Sequence, residues 1–164
     1  MAGCSLDQKS DWCKQCSLLN DCIKSVFLFV GSIAFVDNAG WASVLHIGNH
    51  EKTLTGTVLG EDKEGSRAAL VGFLSALKAF KSSTSIYLFT NSEYLWDGVI
   101  NGCVGNDGKN QSLWAQCDQY SRMHKITAYC VHSNEKQDGL LDDSIINKMK
   151  ACKIMAQQSI VQAS

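Results

Sequence analysis

A chain of 164 residues is long enough for one domain with a proper core; with 45% hydrophobic and 19% charged residues it has an ordinary globular balance. The net charge of -1 excludes a global pull toward nucleic acid or anionic lipid, although a basic face can sit inside a neutral total. No run approaches the ~18 apolar residues of a membrane span and "MAGCSLDQKSDW" lacks a signal-peptide core, so a cytoplasmic or nuclear protein with thiols rather than disulfides is expected.

In chain order, residues 1–23 form a cysteine-containing leader, followed by one domain over residues 24–164. In the leader, Trp12, Cys16, Leu19 and Ile23 recur at helical spacing behind Ser10, which predicts a short amphipathic helix. "KSVFLFVGSIAFV", "WASVLHIGN" and "EKTLTGTVLG" read as three strands. The short links between them, "GNHE" among them, imply an antiparallel meander. "SRAALVGFLSALKAF" carries Leu70, Phe73, Leu74, Leu77 and Phe80 on one stripe with Ser66 as the expected cap.

"TSIYLFT" has the uninterrupted apolar character of a buried parallel strand. It runs into a short helix, "SEYLWDGVI", and then the glycine- and asparagine-rich loop "NGCVGNDGKNQ". "SLWAQCDQYSRM" is predicted helical, "KITAYCV" a strand, and "DDSIINKMKACKIMA" a closing helix with Ile145, Met149 and Cys152 or Lys153 on successive turns. The order is β-β-β-α-β-α-α-β-α after the leader. It is that of an α/β fold with an N-terminal helix.

This order resembles the ribonuclease H fold, and five pieces of sequence carry the likeness over roughly residues 24 to 155. The likeness implies a mixed five-stranded sheet with helices on both faces. "FVGSIAFVDNAGWASVL" looks like the family's first hairpin, whose first strand ends in Asp-Gly-Ser: Gly31 and Ser32 match, and Val30 holds the Asp position. "GSRAALVGFLSAL" resembles the first long helix: Arg67 and Leu70 match, and Ala69 holds the Glu position. "FTNSEYL" resembles Thr-Asp-Ser-x-Tyr: Thr90, Ser92 and Tyr94 match, and Asn91 holds the Asp position. "SLWAQCDQYSRMHKITAYCVH" is in register at Leu113, Trp114, Asp118, His124 and Ile126. In "GLLDDSI", Asp143 falls at the fourth carboxylate, with Asp142 one residue away.

The family's chemistry, as the resemblance implies it, uses carboxylates to hold two divalent ions on a phosphate. Valine and alanine cannot ligate a metal, and asparagine offers one neutral oxygen. The resemblance therefore implies a pseudo-enzyme with vestigial positions Val30, Ala69, Asn91 and Asp143, and no cofactor. A register shift would bring in Asp37, Glu64, Glu93 and Asp97 instead. His132 stands where active relatives carry a mobile histidine loop, and reads as a surface histidine once the carboxylates are lost.

Cys13-x-x-Cys16 with Cys22 is a weak zinc-like set, and helical packing explains the same thiols. Cys103, Cys117, Cys130 and Cys152 read as buried thiols. Lysines 78, 81, 136, 148, 150 and 153 sit late in helices or near the last one, where the helix dipole favours them. Tyr94 and Trp96 offer either a stacking surface or ordinary packing.

The expected function is a catalytically inactive scaffold or protein-interaction domain whose partner is another chain or a second copy. The alternative is a non-cleaving binder of an RNA/DNA hybrid or duplex RNA, contacting phosphate or sugar through Ser32, Ser66, Arg67, Asn91 and Ser92. A third reading is an active metal-dependent nuclease with displaced ligands. No membrane partner is expected.

Overall fold

The computed structural model describes residues 25–60, 65–105, 107–131 and 143–163. The leader with Cys13, Cys16 and Cys22, and also Glu64, His132, Lys136 and Asp142, lie outside the described residues.

Three ten-residue strands open the domain: β1 (Ser25–Ala34), β2 (Asn38–Ile47) and β3 (His50–Leu59). β1 and β2 pair antiparallel, as do β2 and β3. The second hairpin turns on two residues, because Ile47 faces His50 across the ladder. Gly48 adopts φ 59, a left-handed conformation that costs a side chain without Cβ nothing. β1 stops at Ala34 and β2 starts at Asn38, so the apolar Phe35 and Val36 belong to the exposed turn and not to the strand.

The alternating half follows with α1 (Ser66–Lys78), β4 (Ser85–Thr90), α2 (Glu93–Ile100), α3 (Gln111–Ser121), β5 (Lys125–Cys130) and α4 (Asp143–Ala163). β4 joins β1 in parallel and β5 joins β4 in parallel, giving the sheet order β3-β2-β1-β4-β5. α4 continues seven residues past the expected end at Ala156, because Ser159 finds partners on β3: its Oγ lies 2.8 Å from the Gly56 carbonyl.

The strand periodicity sorts side chains between two layers. Val26, Leu28 and Val30 of β1 point toward α1, where they meet Leu70, Phe73, Leu77, Ile86, Leu88 and Trp114. Phe27 and Phe29 point the other way, into a second cluster with Val44, Phe89, Ile145, Met149 and Cys152 under α4. Cys103, Cys117 and Cys152 are buried free thiols, and Cys130 is buried as well. Burial pushes Cys117 and Cys103 above the usual thiol range and Cys152 up to about 12, so all three stay protonated small hydrophobes.

Candidate functional site

Three of the four positions singled out by the sequence, Val30, Ala69 and Asn91, lie where β1 and β4 end and α1 begins. Val30 lies opposite Thr90 in the parallel ladder, which places Asn91 one residue past the last pair. Val30 and Ala69 belong to one core cluster and both are 0% exposed. A Cβ built on Gly72, one turn after Ala69, would stand 3.2 Å from a Val30 methyl, so α1 sits directly on this end of β1.

Asn91 is fully committed. Its Oδ1 accepts from the Ser32 N–H at 3.0 Å, and its Nδ2 donates to the Ser32 carbonyl at 3.1 Å. The side chain thereby extends the β1–β4 ladder beyond its backbone register. Ser92 caps α2, its Oγ accepting from the Leu95 N–H at 3.2 Å, while the Ser92 N–H donates to Thr90 Oγ1.

Ser32 is buried, and its Oγ lies beside Gly65: a Cβ there would stand 3.0 Å away. That approach explains why the cap of α1 is Gly65 at φ 70, with no side-chain cap bond, and not Ser66 as the sequence predicted. Ser66 is the first helical residue. Arg67, next to it, donates from its guanidinium to the Leu59 carbonyl at 2.9 Å.

Of the five residues proposed to grip nucleic acid, Ser32, Asn91 and Ser92 thus spend polar groups on the fold, and Arg67 has a backbone partner. Thr90, matched in the sequence, holds the Ser92 N–H. Gly65 is the residue that sequence reasoning missed, and the glycine just before a helical stripe carried its signal.

Asp143 is exposed and opens α4, where a carboxylate favours the positive helix end. α4 lies on the face of the sheet opposite α1. The acids of a shifted register are dispersed: Asp37 is in the β1–β2 turn, Glu93 in the first turn of α2, and Asp97 a turn later beside Asn101. Among the described residues no three His, Cys, Asp or Glu side chains gather around a common point.

Two divalent ions need several anionic oxygens open to solvent. Two buried aliphatic groups and one amide already bonded through both its polar atoms do not fit them. No step through a metal is therefore derived.

Tyr94 lies beside this end and serves the loop after α2. Its hydroxyl accepts from Trp114 Nε1 at 2.9 Å and Asn110 Nδ2 at 3.2 Å, and it stands 3.3 Å from an Asp107 carboxylate oxygen. The ring packs on Trp114, so the packing reading of Tyr94 accounts for every contact seen.

No family model matches the chain. Curated relatives do. The chain is 32% identical over 124 residues to ribonuclease H of Ehrlichia chaffeensis, covering 65% of itself and 84% of the relative. It is 34% identical over 119 residues to ribonuclease H of Rhizobium etli, covering 62% and 77%.

Solved structures agree in fold. The N-terminal ribonuclease H domain of a Mycobacterium tuberculosis protein superposes with a TM-score of 0.61 at 10% identity, over 82% of this chain and 98% of that one. The enzyme from Halobacterium salinarum gives 0.59 at 14% identity, over 84% and 98%. A further match, LC11 ribonuclease H1, was solved in complex with an RNA/DNA hybrid and gives 0.54 at 10% identity, over 84% and 98%.

Proposed function

We propose a non-cleaving role for this chain, which belongs to the ribonuclease H family. It acts as a pseudo-enzyme, a scaffold or protein-interaction domain that binds another chain or a second copy of itself. The observation that carries this reading is the full burial of Val30 and Ala69 in one apolar cluster where the family's chemistry wants open carboxylates. A charge at either position would lose its hydration without gaining a partner. The Asn91 clamp supports it, because an amide that both accepts and donates does a structural job that a carboxylate cannot.

Binding of a hybrid or duplex without cleavage is the second reading, and the relative solved with an RNA/DNA hybrid favours keeping it. Against it, the polar groups of Ser32, Asn91 and Ser92 are turned into the fold. A cytoplasmic or nuclear setting accompanies either reading. No described helix is long and apolar enough to cross a membrane.

One experiment separates the readings. The full chain is incubated with a labelled RNA/DNA hybrid in Mg²⁺ or Mn²⁺, and binding is followed as a function of salt. The scaffold reading expects neither cleavage nor a shift at low salt. A shift that weakens steeply with salt replaces it with the binding reading. Metal-dependent cleavage that is lost in Asp143→Asn overturns the pseudo-enzyme.

A further inference from the structure

β3 is the outer strand of the sheet, with β2 on one side and no described strand on the other. The Gly60 N–H donates to the Asp37 carbonyl at 2.8 Å, which carries the β2–β3 register one hydrogen-bonded pair beyond Asn38 and Leu59. Hydrogen-bonded and non-bonded pairs alternate in an antiparallel ladder. His50, Lys52, Leu54, Gly56 and Val58 therefore turn their backbone groups toward β2. Glu51, Thr53, Thr55, Thr57 and Leu59 turn theirs to the open edge. Among the described residues, the backbone partner on that edge is Arg67, which holds the Leu59 carbonyl at 2.9 Å.

This edge carries few of the devices that keep strand edges apart. Its ten residues follow the β2 register without a bulge, and the chain has no proline to interrupt it. Its charges, Glu51 and Lys52, sit at one end. The side chains sort by face. Thr57 Oγ1 reaches the Ser159 carbonyl, so Thr53, Thr55, Thr57 and Leu59 share the α4 face. Thr53 and Thr55 there are exposed, and Leu59 is 76% exposed. Leu54 and Val58 share the α1 face, partly buried against Trp41 and Ala68. At Gly56 the strand has no side chain, and the Trp41 indole lies across the place a Cβ would take.

We propose that β3 pairs antiparallel with β3 of a second copy about a two-fold axis at Gly56, joining the two five-stranded sheets into one. This rests on the reading of the chain as an interaction domain that binds a second copy of itself, and names the surface. The occupant is argued from self-complementarity. A copy related by a two-fold presents the same row of free N–H and C=O groups, so outward residues must meet outward residues. An axis at Gly56 satisfies that rule. It sets Thr55 opposite Thr57 of the second copy, and Thr53 opposite Leu59 of the second copy, as hydrogen-bonded pairs.

The side chains favour that centre. Between the bonded pairs, Leu54 of each copy faces Val58 of the other in a non-bonded pair, where side chains come closest. Both residues are apolar and both lie on the α1 face. The glycines meet at the axis, each already covered by the Trp41 of its own copy. Threonine faces threonine on the α4 face, a favourable cross-strand pair. Glu51 and Lys52 fall at the margin of the overlap. An axis at Thr55 would instead set Lys52 against Val58 and Glu51 against Leu59.

Sedimentation equilibrium on the full chain should show a mass that rises with concentration from 17.9 kDa toward twice that value. Leu54 and Val58 of one copy stand about 13 Å apart along the strand, too far for a methyl–methyl nuclear Overhauser effect. Contacts between them across differently labelled copies therefore report the paired edge and its register. Thr55→Pro removes an outward N–H and leaves the bonds to β2 in place, so the dimer dissociation constant should rise by about tenfold or more. A second pair of variants does not depend on how that one folds. Thr55→Lys and Thr55→Glu should each self-associate less, because the axis brings like charges to diagonal positions on one face, and a mixture of the two should associate again. A mass of 17.9 kDa at every concentration overturns the proposal. If that monomer also neither binds nor cleaves the hybrid, the interaction-domain reading stands with another protein as partner, whereas hybrid binding or cleavage removes that reading itself. A dimer without Leu54–Val58 contacts, or one that Thr55→Pro leaves intact, also overturns the pairing. So do Thr53 and Thr55 amides already protected from exchange in the monomer, which would show another occupant of the edge.

Discussion

Asn91 and Ser32 form a two-way hydrogen-bonded pair: the amide oxygen accepts from the Ser32 N–H and the amide nitrogen donates to the Ser32 carbonyl, 59 residues away in sequence. The pair closes the junction of β1 and β4 after their backbone register has run out at Val30 and Thr90. An aspartate there could still accept from the N–H. Its other oxygen would face a carbonyl with no proton between them. Asn91→Asp is therefore expected to lower stability by about 1–3 kcal/mol at pH 7. The loss should shrink near pH 4, relative to the wild type, because a protonated carboxyl can donate again. Urea unfolding at both pH values measures it, and equal stability of the two proteins at pH 7 would remove the structural role assigned to the amide.

Val30 is packed and dry, and its replacements should rank by mechanism. Val30→Ala leaves a small cavity against α1 and costs about 2 kcal/mol. Val30→Asp is nearly the same size but carries a charge into the same place, which costs about 3–5 kcal/mol unless a partner or water reaches it. Denaturant midpoints for the two variants decide the order. A well-tolerated Val30→Asp, as stable as Val30→Ala, would mean that the position opens to solvent and that a metal site is nearer than the packing indicates.

Periodicity carried most of the fold into view beforehand. Alternation in β1–β3, the unbroken apolar run of β4 and the 3.6-residue stripe of α1 are local signals, and each element formed where those signals lie. The burial of Val30 and Ala69 was legible in the same way, since both fall on the apolar face of a strand or helical stripe. What escaped was set by distant partners. Gly65 replaces Ser66 as cap because Ser32, more than thirty residues earlier, leaves no room for a Cβ. The double bond of Asn91 has no local sequence mark at all. Phe35 and Val36 looked like strand because apolarity was read without the turn, in which the Phe35 N–H bonds the Asn38 carbonyl.

Two histidines make the fold sensitive to acid. Burial and the neighbouring Lys148 push His46 below its ordinary pKa, against an opposing pull from Glu51, whose carboxylate lies 2.6 Å from Nε2. Burial also lowers His124, whose Nδ1 accepts the Thr84 N–H at 3.2 Å and must be unprotonated to do so. With both folded pKa values below the unfolded value of about 6.5, the unfolded chain binds more protons. The stability contribution is complete above about pH 6.5 and is lost as the pH falls from there toward the folded values. Urea midpoints should drop between pH 7.5 and 5.5, and His124→Gln should flatten part of that slope. An unchanged slope would place the acid sensitivity elsewhere.

Gly40 sets how closely α4 can approach the sheet. A Cβ built there would collide with the Ala156 carbonyl and would stand 2.9 Å from both Ile160 and Ser159 Oγ. The first obstacle is helix backbone, so no rotamer change relieves it. Ser159 and Thr57 depend on the same approach: Ser159 Oγ reaches the Gly56 carbonyl at 2.8 Å and Thr57 Oγ1 reaches the Ser159 carbonyl at 3.3 Å. Gly40→Ala must push the last turns of α4 outward and break both bonds, so a loss of about 2–4 kcal/mol is expected, at the upper end of overpacking costs. Gly48→Ala is the control, since nothing lies within 4 Å of a Cβ there and only its left-handed φ of 59 is strained, for about 1–2 kcal/mol. Hydrogen exchange separates the two: Gly40→Ala should expose amides near the end of α4, and Gly48→Ala should leave them protected. Protected α4 amides in Gly40→Ala would show that the helix end is not held by this close contact.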